Sequence, residues 1–295
     1  MKLSILMVNY NTEAFIADFL HDLVQQPLST QDYEIIITNN VQNNALAEMI
    51  QANQFEQKLN IQIIQSNQNI GFGRAMNLAA QIATGKHFLI ANPDLRIQQS
   101  HFLQELLTQA EHQQHYGLIS TQILSDKAGY KTEYLSYEFN QDLGYPNQVC
   151  WISGALLLIR SEIFQQLAGF DPDFFMYCED EDLSYRVKQL NLPLITLSEL
   201  QVYHYGGASE PNQSYDFYYR WYRSRLLFAY KHFSQDTFEK LLPQLQKQSS
   251  RKIKKYQLFK IFYLNNQAKI VKWQVMQDII EKIQKQGTNW LYFKP

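Results

Sequence analysis

The chain has 295 residues, 45% hydrophobic and 18% charged, a balance that excludes an intrinsically disordered protein and allows one large α/β domain with an appendage or two modest domains. No run approaches the roughly 18 apolar residues of a membrane span, LSILMV after Lys2 is too short for a signal peptide, and Cys150 and Cys178 lack metal or disulfide-framework spacing, so a cytoplasmic protein with packed thiols is expected. The net charge of −2 hides a separation: Tyr219 to Lys272 holds 13 Lys and Arg against Asp236 and Glu239, a local +11 that leaves −13 elsewhere and points to an anionic partner for the C-terminal part.

In chain order, short continuous runs rich in Ile, Leu and Val at Leu3 to Val8, Glu34 to Thr38, Ile61 to Gln65 and His87 to Ala91 read as strands buried on both faces. Helical patterns sit between them. Thr12 reads as the cap of a helix carrying Phe15, Phe19, Leu20 and Leu23; Ala45 to Gln57 reads as a second helix and Gly73 to Ala83, stopped by Gly85, as a third. This order predicts a mostly parallel sheet with right-handed crossovers. The four strands finish in Asn9-Tyr10-Asn11, Asn39-Asn40, Ser66-Asn67-Gln68-Asn69 and Asn92-Pro93-Asp94. In an open parallel sheet such ends share one edge, where ligands bind, which makes Asn9, Asn11, Asn39, Asn92 and Asp94 candidate ligand residues. Ordinary turn chemistry accounts for the same residues without a ligand.

Beyond Asp94 the pattern predicts a helix around Phe102 to Gln109, a short strand at Leu118 to Thr121 and an inserted polar, Tyr-rich stretch from Ser125 to Gln148. A strand over Val149 to Arg160 follows, with Gly154 permitting close backbone approach. Next come a helix from Ser161, a loop over Gly169 to Cys178, a helix over Glu179 to Gln189, extended segments at Leu194 to Leu197 and Gln201 to Tyr205, and helices alone from Asn212. The expected division is 1–98, 99–211 and a basic helical region 212–295.

Three constellations carry chemistry. Gly71-Phe72-Gly73-Arg74 opens a helix after the third strand, as a phosphate-binding turn does, although it is neither a dinucleotide fingerprint nor a P-loop. Arg74 in a first helical turn opposes the macrodipole and so answers to an anion or a carboxylate. Glu179-Asp180-Glu181-Asp182 puts four carboxylates at a helix start, more than capping and the dipole require. Asp182 and Arg186 stand i, i+4 apart and are expected to pair on the surface, leaving Glu179 or Asp180 to face the crevice. His204 in QVYHYGGAS closes an extended run; a structural hydrogen-bonder and a ligand both fit it.

Taken together, ILMVNYNT, EIIITNN, NQNIGFGRAMN, FLIANPDL, ISGALLLIR, GFDPDFFMYCEDEDLSYRV and VYHYGGAS, in that order from Lys2 to Ser209, resemble glycosyltransferase family 2, the inverting nucleotide-sugar transferases of GT-A fold, and within it the rhamnosyltransferase-like bacterial members. The resemblance implies an α/β GT-A domain whose first half binds the nucleotide. It implies that Asp94 stands for the metal-binding last Asp of the D-x-D motif, that Asp180 of the Glu179-Asp180 pair is the catalytic base, and that His204 is a further ligand for Mg²⁺ or Mn²⁺. Asn39 stands where the family commonly has a base-contacting Asp; its amide oxygen can still accept a base N–H.

The activity so expected is inverting transfer from a dTDP- or UDP-sugar to a glycan acceptor, often lipid-linked in this family, for bacterial surface polysaccharide. Arg220, Arg223 and Arg225 interleave with Tyr218, Tyr219, Trp221, Tyr222 and Phe228, and Lys252 to Lys260 interleave with Tyr256, Phe259 and Phe262. That region reads as a solvated helical face or as a peripheral contact with the anionic inner leaflet. No nucleic acid partner is expected. The alternative reading is a non-catalytic sugar-nucleotide-binding or nucleic-acid-binding subunit that uses the basic region.

Overall fold

The computed structural model describes residues 1–113, 115–125, 151–207, 214–258 and 266–292. Most of the predicted insert, Cys150, Lys260, Phe259 and Phe262 lie outside the described residues. The chain forms two compact units, Met1–Asp171 with Glu179–Ser209, and Pro172–Cys178 with Glu210–Pro295.

The first unit is built in chain order from β1 (Leu3–Asn9), α1 (Glu13–Val24), β2 (Tyr33–Asn39), α2 (Ala45–Ala52), β3 (Ile61–Gln65), α3 (Phe72–Ile82), β4 (His87–Ala91) and β5 (Leu95–Arg96). It continues with α4 (Phe102–His112), β6 (Leu118–Leu124), β7 (Leu156–Arg160), α5 (Ser161–Gln166), α6 (Glu179–Gln189) and β8 (Leu194–His204). The strands make one sheet in the order β3-β2-β1-β4-β7-β6-β8-β5. β3, β2, β1 and β4 are mutually parallel, β7 runs antiparallel to β4 and β6, and β8 is parallel to β6.

Strand periodicity divides the core. Leu3, Ile5 and Met7 pack with Phe19, Leu20 and Phe102 from α1 and α4, whereas Leu6 and Val8 pack with Ala75, Met76, Phe164 and Leu183 from α3, α5 and α6. Apolar packing on both faces explains why β1 and β2 are mostly hydrophobic; β3, also expected to be buried on both faces, is instead the half-exposed edge strand of the sheet.

The structure corrects several local expectations. Thr12 makes no side-chain cap; its N–H and hydroxyl donate instead to Asn9 Oδ1, both at 3.0 Å. The second helix ends at Ala52, because Gln54 takes a left-handed φ of 55° before a 3₁₀ turn at Phe55–Gln57. Val149 and Cys150 lie outside the described residues; in the described part of the expected strand, Trp151 to Ala155 are not strand, the Ser153 carbonyl accepting Leu156 N–H in a local turn, and the strand is β7. The two extended segments after Leu194 are a single strand, β8, whose pairing with β6 shifts register between Thr121 and Gln122.

One clamp fixes the chain just past the end of β4. Asp22 on α1 accepts Arg96 Nε and Nη2 at 2.8 and 2.9 Å and the Ile97 N–H at 2.8 Å, anchoring β5 to the helix. Asp18 is only 3.9 Å from Arg96 and mostly exposed. Replacing Asp22 with Ala removes three charge-assisted bonds and is expected to cost about 2–3 kcal/mol in urea unfolding, whereas Asp18→Ala stays within about 0.5 kcal/mol.

The second unit contains α7 (Tyr215–His232), α8 (Gln235–Leu258) and α9 (Asn266–Gln286), closed by a 3₁₀ turn at Thr288–Leu291. Ser214 caps α7 by accepting the Phe217 N–H at 3.2 Å. No described helix is long and apolar enough to cross a membrane.

Candidate active site

The site is organised where β4 ends and β7 begins. Ala91 pairs with Leu156, and Asn92 N–H extends the ladder by donating to the Ala155 carbonyl at 2.8 Å. Pro93 has no N–H to continue it, so the chain turns. The Asp94 carbonyl then accepts Tyr205 N–H at 3.1 Å while Leu95 pairs with His204. Asp94 and His204 are thereby forced together, each only 4% exposed, with His204 Nε2 3.0 Å from Asp94 Oδ1 and 3.5 Å from the half-buried Asn92 amide. Among the described residues no group of three or more His, Cys, Asp or Glu side chains could hold a metal; this pair has two such members.

The adjacent residue carries the second acid. Gly154 N–H donates to Asp180 Oδ2 at 2.8 Å, and Glu181 N–H donates to Asp180 Oδ1 at 2.9 Å. A Cβ at Gly154 would lie 3.4 Å from Asp180 Cβ and 3.5 Å from Phe72. The close approach foreseen for Gly154 is therefore an approach to the α6 carboxylate and to the first turn of α3. Ser184, one turn further along α6, accepts the Ile152 N–H at 3.2 Å, so two side chains of one helix hold residues 152–154.

The four carboxylates of α6 have separate tasks. Asp182 is fully buried and accepts both Arg186 Nε and Nη2 at 2.7 Å, while the same guanidinium donates to the carbonyls of Leu167 and Gly169. The pair expected on the surface is thus a buried bracket that ties α6 to the end of α5. Glu179 is 6% exposed and its Oε2 has no protein hydrogen-bond partner among the described residues. It packs near Gly73, whose added Cβ would lie 2.9 Å from Phe170 and 3.7 Å from Glu179 Cβ. Burial, then the Asp180 charge, pushes the Glu179 carboxyl well above the usual carboxylate range. Burial also raises Asp180, but the Gly154 and Glu181 N–H groups oppose it by favouring the charged form.

Along the β1–β3 edge, sequence reasoning placed Asn9 and Asn39 at the nucleotide. The structure turns both inward. Asn9, Asn39 and Gln65 occupy one register across three parallel strands. Asn9 Nδ2 donates to Glu13 at 2.9 Å and to Asn39 Oδ1 at 2.8 Å, and Asn39 Nδ2 donates to Gln65 Oε1 at 2.9 Å. Gln65 Nε2 ends the series on the Val41 and Ser66 carbonyls at 2.7 and 2.9 Å. The Thr12 N–H at one end and these carbonyls at the other fix every amide orientation. The oxygen of Asn39 expected to meet a base is therefore engaged by Asn9.

Asn11 is exposed, with a left-handed φ of 56°. Gly71, at φ 85°, leads into α3; its N–H donates to Asn69 Oδ1 at 3.0 Å and its carbonyl accepts from Asn40 at 3.1 Å. Arg74 is half-buried in the first turn of α3. Asn40 and Asn69 stood among the polar strand ends of the sequence, but their bonds to Gly71 were not foreseen, and the part of Gln65 in the amide series was missed. The available signal was an amide at the end of every parallel strand, which becomes informative only once their register is known.

Residues 4–168, more than half of the chain, match the model of the family described as Glycosyl transferase family 2. The chain is 38% identical over 61 residues to the N-acetylglucosaminyl-diphospho-decaprenol L-rhamnosyltransferase of Mycobacterium tuberculosis, covering 21% of this chain and 20% of that protein. It is 36% identical over 67 residues to the rhamnosyltransferase WbbL of Escherichia coli, 23% and 25% of the two chains. To the poly(ribitol-phosphate) beta-glucosyltransferase of Bacillus spizizenii it is 33% identical over 96 residues, 32% and 15%. The matches therefore span a quarter or less of these relatives' own length.

Among solved structures, the mannosyltransferase PcManGT from Pyrobaculum calidifontis, in complex with GDP-Man and Mn²⁺, superposes with a TM-score of 0.62 at 12% identity, covering 98% of this chain and 87% of the other. S. aureus TarS 1–349 in complex with UDP gives 0.56 at 14% identity, covering 97% and 92%. Both likenesses establish the fold, GT-A, with helices appended. The family match, on a sheet whose parallel half ends in the turn at Asn92-Pro93-Asp94, leads to one conclusion: the chain belongs to glycosyltransferase family 2.

Proposed function

We propose that the chain is an inverting glycosyltransferase that moves a sugar from a dTDP- or UDP-sugar to a hydroxyl of a lipid-linked or polymeric glycan acceptor in bacterial surface polysaccharide synthesis. The observation that carries this reading is that neighbouring residues hold the two acidic positions: Ala155 receives the strand that ends in Asp94, and Gly154 binds Asp180. Two relatives support the acceptor class, one adding a sugar to a diphospho-decaprenol carrier and the other to poly(ribitol-phosphate).

In this reading Asp180 accepts the proton of the acceptor hydroxyl as its oxygen bonds to the anomeric carbon. The bond from that carbon to the phosphate oxygen breaks on the opposite face, and its electron pair leaves with the nucleoside diphosphate. A single displacement of this kind inverts the centre. Two adjacent carboxyls do not both ionise cheaply in a buried site, and their surroundings separate them. Asp180 has two N–H donors and takes the charge; Glu179, more strongly raised, stays protonated. Its Oε2, without a partner among the described residues, is then available to bond a substrate hydroxyl.

The residues at the end of β4 fit a divalent cation. Asp94 supplies a carboxylate oxygen and His204 an imidazole nitrogen, which contact each other at 3.0 Å and would have to exchange that contact for the cation, and the Asn92 side chain borders them with an amide oxygen available in its other orientation. A mixed oxygen and nitrogen set suits Mn²⁺ better than Mg²⁺, which prefers oxygen alone. When bound, the cation would neutralise charge developing on the departing diphosphate.

Asp180→Asn is expected to lower kcat about 10²- to 10⁴-fold in a nucleoside diphosphate release assay while donor affinity, measured by calorimetry, is kept; undiminished turnover would remove Asp180 as the base. Because a base works only when deprotonated and burial raises Asp180, the acid limb of kcat/KM should fall above the usual carboxylate range and rise with pH. Glu179→Gln should leave that limb in place, since it removes no charge. If Glu179 were ionised, losing its charge would ease Asp180 ionisation and move the limb to lower pH. Asp94→Ala should abolish the gain in donor affinity that Mn²⁺ gives the wild type; an unchanged Mn²⁺ dependence would put the cation elsewhere.

A further inference from the structure

The cations of the helical unit divide into two populations. Those interleaved with aromatics in α7 and α9 serve packing. Arg223 donates to the carbonyls of Leu291, Trp290 and Tyr292 and lies 5.0 Å over the Trp290 ring. Arg225 and Lys272 cover Trp221 at 5.1 and 5.6 Å, Lys282 covers Tyr219 at 4.8 Å, and Lys231 pairs with Asp173 at 2.5 Å. The cluster around Arg223 that the sequence offered as a surface contact is therefore largely internal to the unit.

α8 differs. Its inner face is marked by buried Phe238 and Ser249, and Ser250 accepts from Gln277 of α9 at 2.8 Å. At about 100° per residue, Lys240, Lys247, Arg251, Lys254 and Leu258 fall within a stripe about 60° wide on the opposite side, with Lys255 at its margin. All six are exposed, Leu258 by 75%. Gln244, Lys247, Gln248, Arg251 and Lys252 also line one depression along the helix. Lys240 has Asp236 as a partner at 2.5 Å, but from Lys240 through Gln277 the sequence has no acidic residue. Lys247 and Arg251, and Arg251 and Lys255, therefore repel at i, i+4 spacing with no carboxylate on this stretch to relieve them. An external anion would do so.

We infer that this stripe of α8 is a docking surface for a bilayer bearing anionic phospholipid headgroups. A phosphate suits the depression, with cations and amide donors around it. The stripe runs about 27 Å, long enough to lie along several headgroups, and ends in an exposed leucine that can enter the acyl boundary. It carries no aromatic on which a nucleobase could stack, which argues against single-stranded nucleic acid. This inference does not depend on the identity of the base or the metal ligands proposed above.

The test is co-sedimentation of the full chain with phosphatidylcholine vesicles, with and without about 30 mol% phosphatidylglycerol, at about 0.1 M salt. Binding is expected only to the phosphatidylglycerol vesicles and should be lost at high salt. The combined variant Lys247→Gln, Arg251→Gln, Lys254→Gln, Lys255→Gln should weaken it on the order of a hundred-fold. Nucleoside diphosphate release with a soluble acceptor, unaltered in that variant, shows that it is folded; should it be altered, Lys254→Gln with Lys255→Gln replaces it and should still weaken binding on the order of tenfold. Wild-type partitioning of the variants, or equal binding to pure phosphatidylcholine, overturns the inference. So does a soluble oligonucleotide that binds as tightly as the anionic vesicles at equal phosphate concentration.

Discussion

The site depends on a two-residue stretch of main chain, Gly154-Ala155. The Ala155 carbonyl takes the last ladder bond of β4 and the Gly154 N–H takes Asp180, so the end of a core strand and the start of a helix far along the chain are held by consecutive peptide units. Backbone groups are suited to this task because they have no rotamers to lose and their spacing is fixed. The same arrangement brings the Gly154 main chain close to both helices: a methyl group there would be in ordinary van der Waals contact with Asp180 and Phe72.

Around this junction the protein handles its buried charges in two ways. Asp182 has a full partner in Arg186, and Asp22 has one in Arg96, so these acids stabilise structure and offer nothing to a substrate. Among the described residues Glu179 and Asp180 have no hydrogen-bonded counter-cation of that kind. Their raised affinity for protons is a cost in stability at high pH, because a carboxyl whose folded pKa is raised favours the folded state most at low pH and loses that contribution as pH rises. In the proposed mechanism that cost gives a base and a neutral hydrogen-bond donor side by side.

Much of the fold was legible in the chain. Short runs rich in Ile, Leu and Val over Leu3 to Val8 and Glu34 to Thr38 read as strands covered on both sides, and the helices between them then point to a parallel sheet. Asp94, His204 and Asp180 were legible as chemistry, and the structure brings His204 to Asp94. What was not legible is non-local. The Asp182 and Arg186 spacing suits a surface pair, and nothing local reveals that two carbonyls from the end of α5 wait beneath it. Asn9 and Asn39 look alike as strand-end amides, yet the register of β1, β2 and β3 joins them to Gln65 and to each other. Likewise the aromatic and basic residues of α7 gave no local sign that they would pair with Trp290 and the residues beside it.

The central claim is that Asp94 and Asp180 flank one bound sugar. A crystal structure with Mn²⁺ and an unreactive UDP-sugar analogue tests it most directly. The cation is expected on Asp94 and His204, the diphosphate beside it, and the Asp180 carboxylate on the opposite side of the anomeric carbon. A sugar whose anomeric carbon lies out of reach of Asp180, or a cation held away from Asp94, would contradict it.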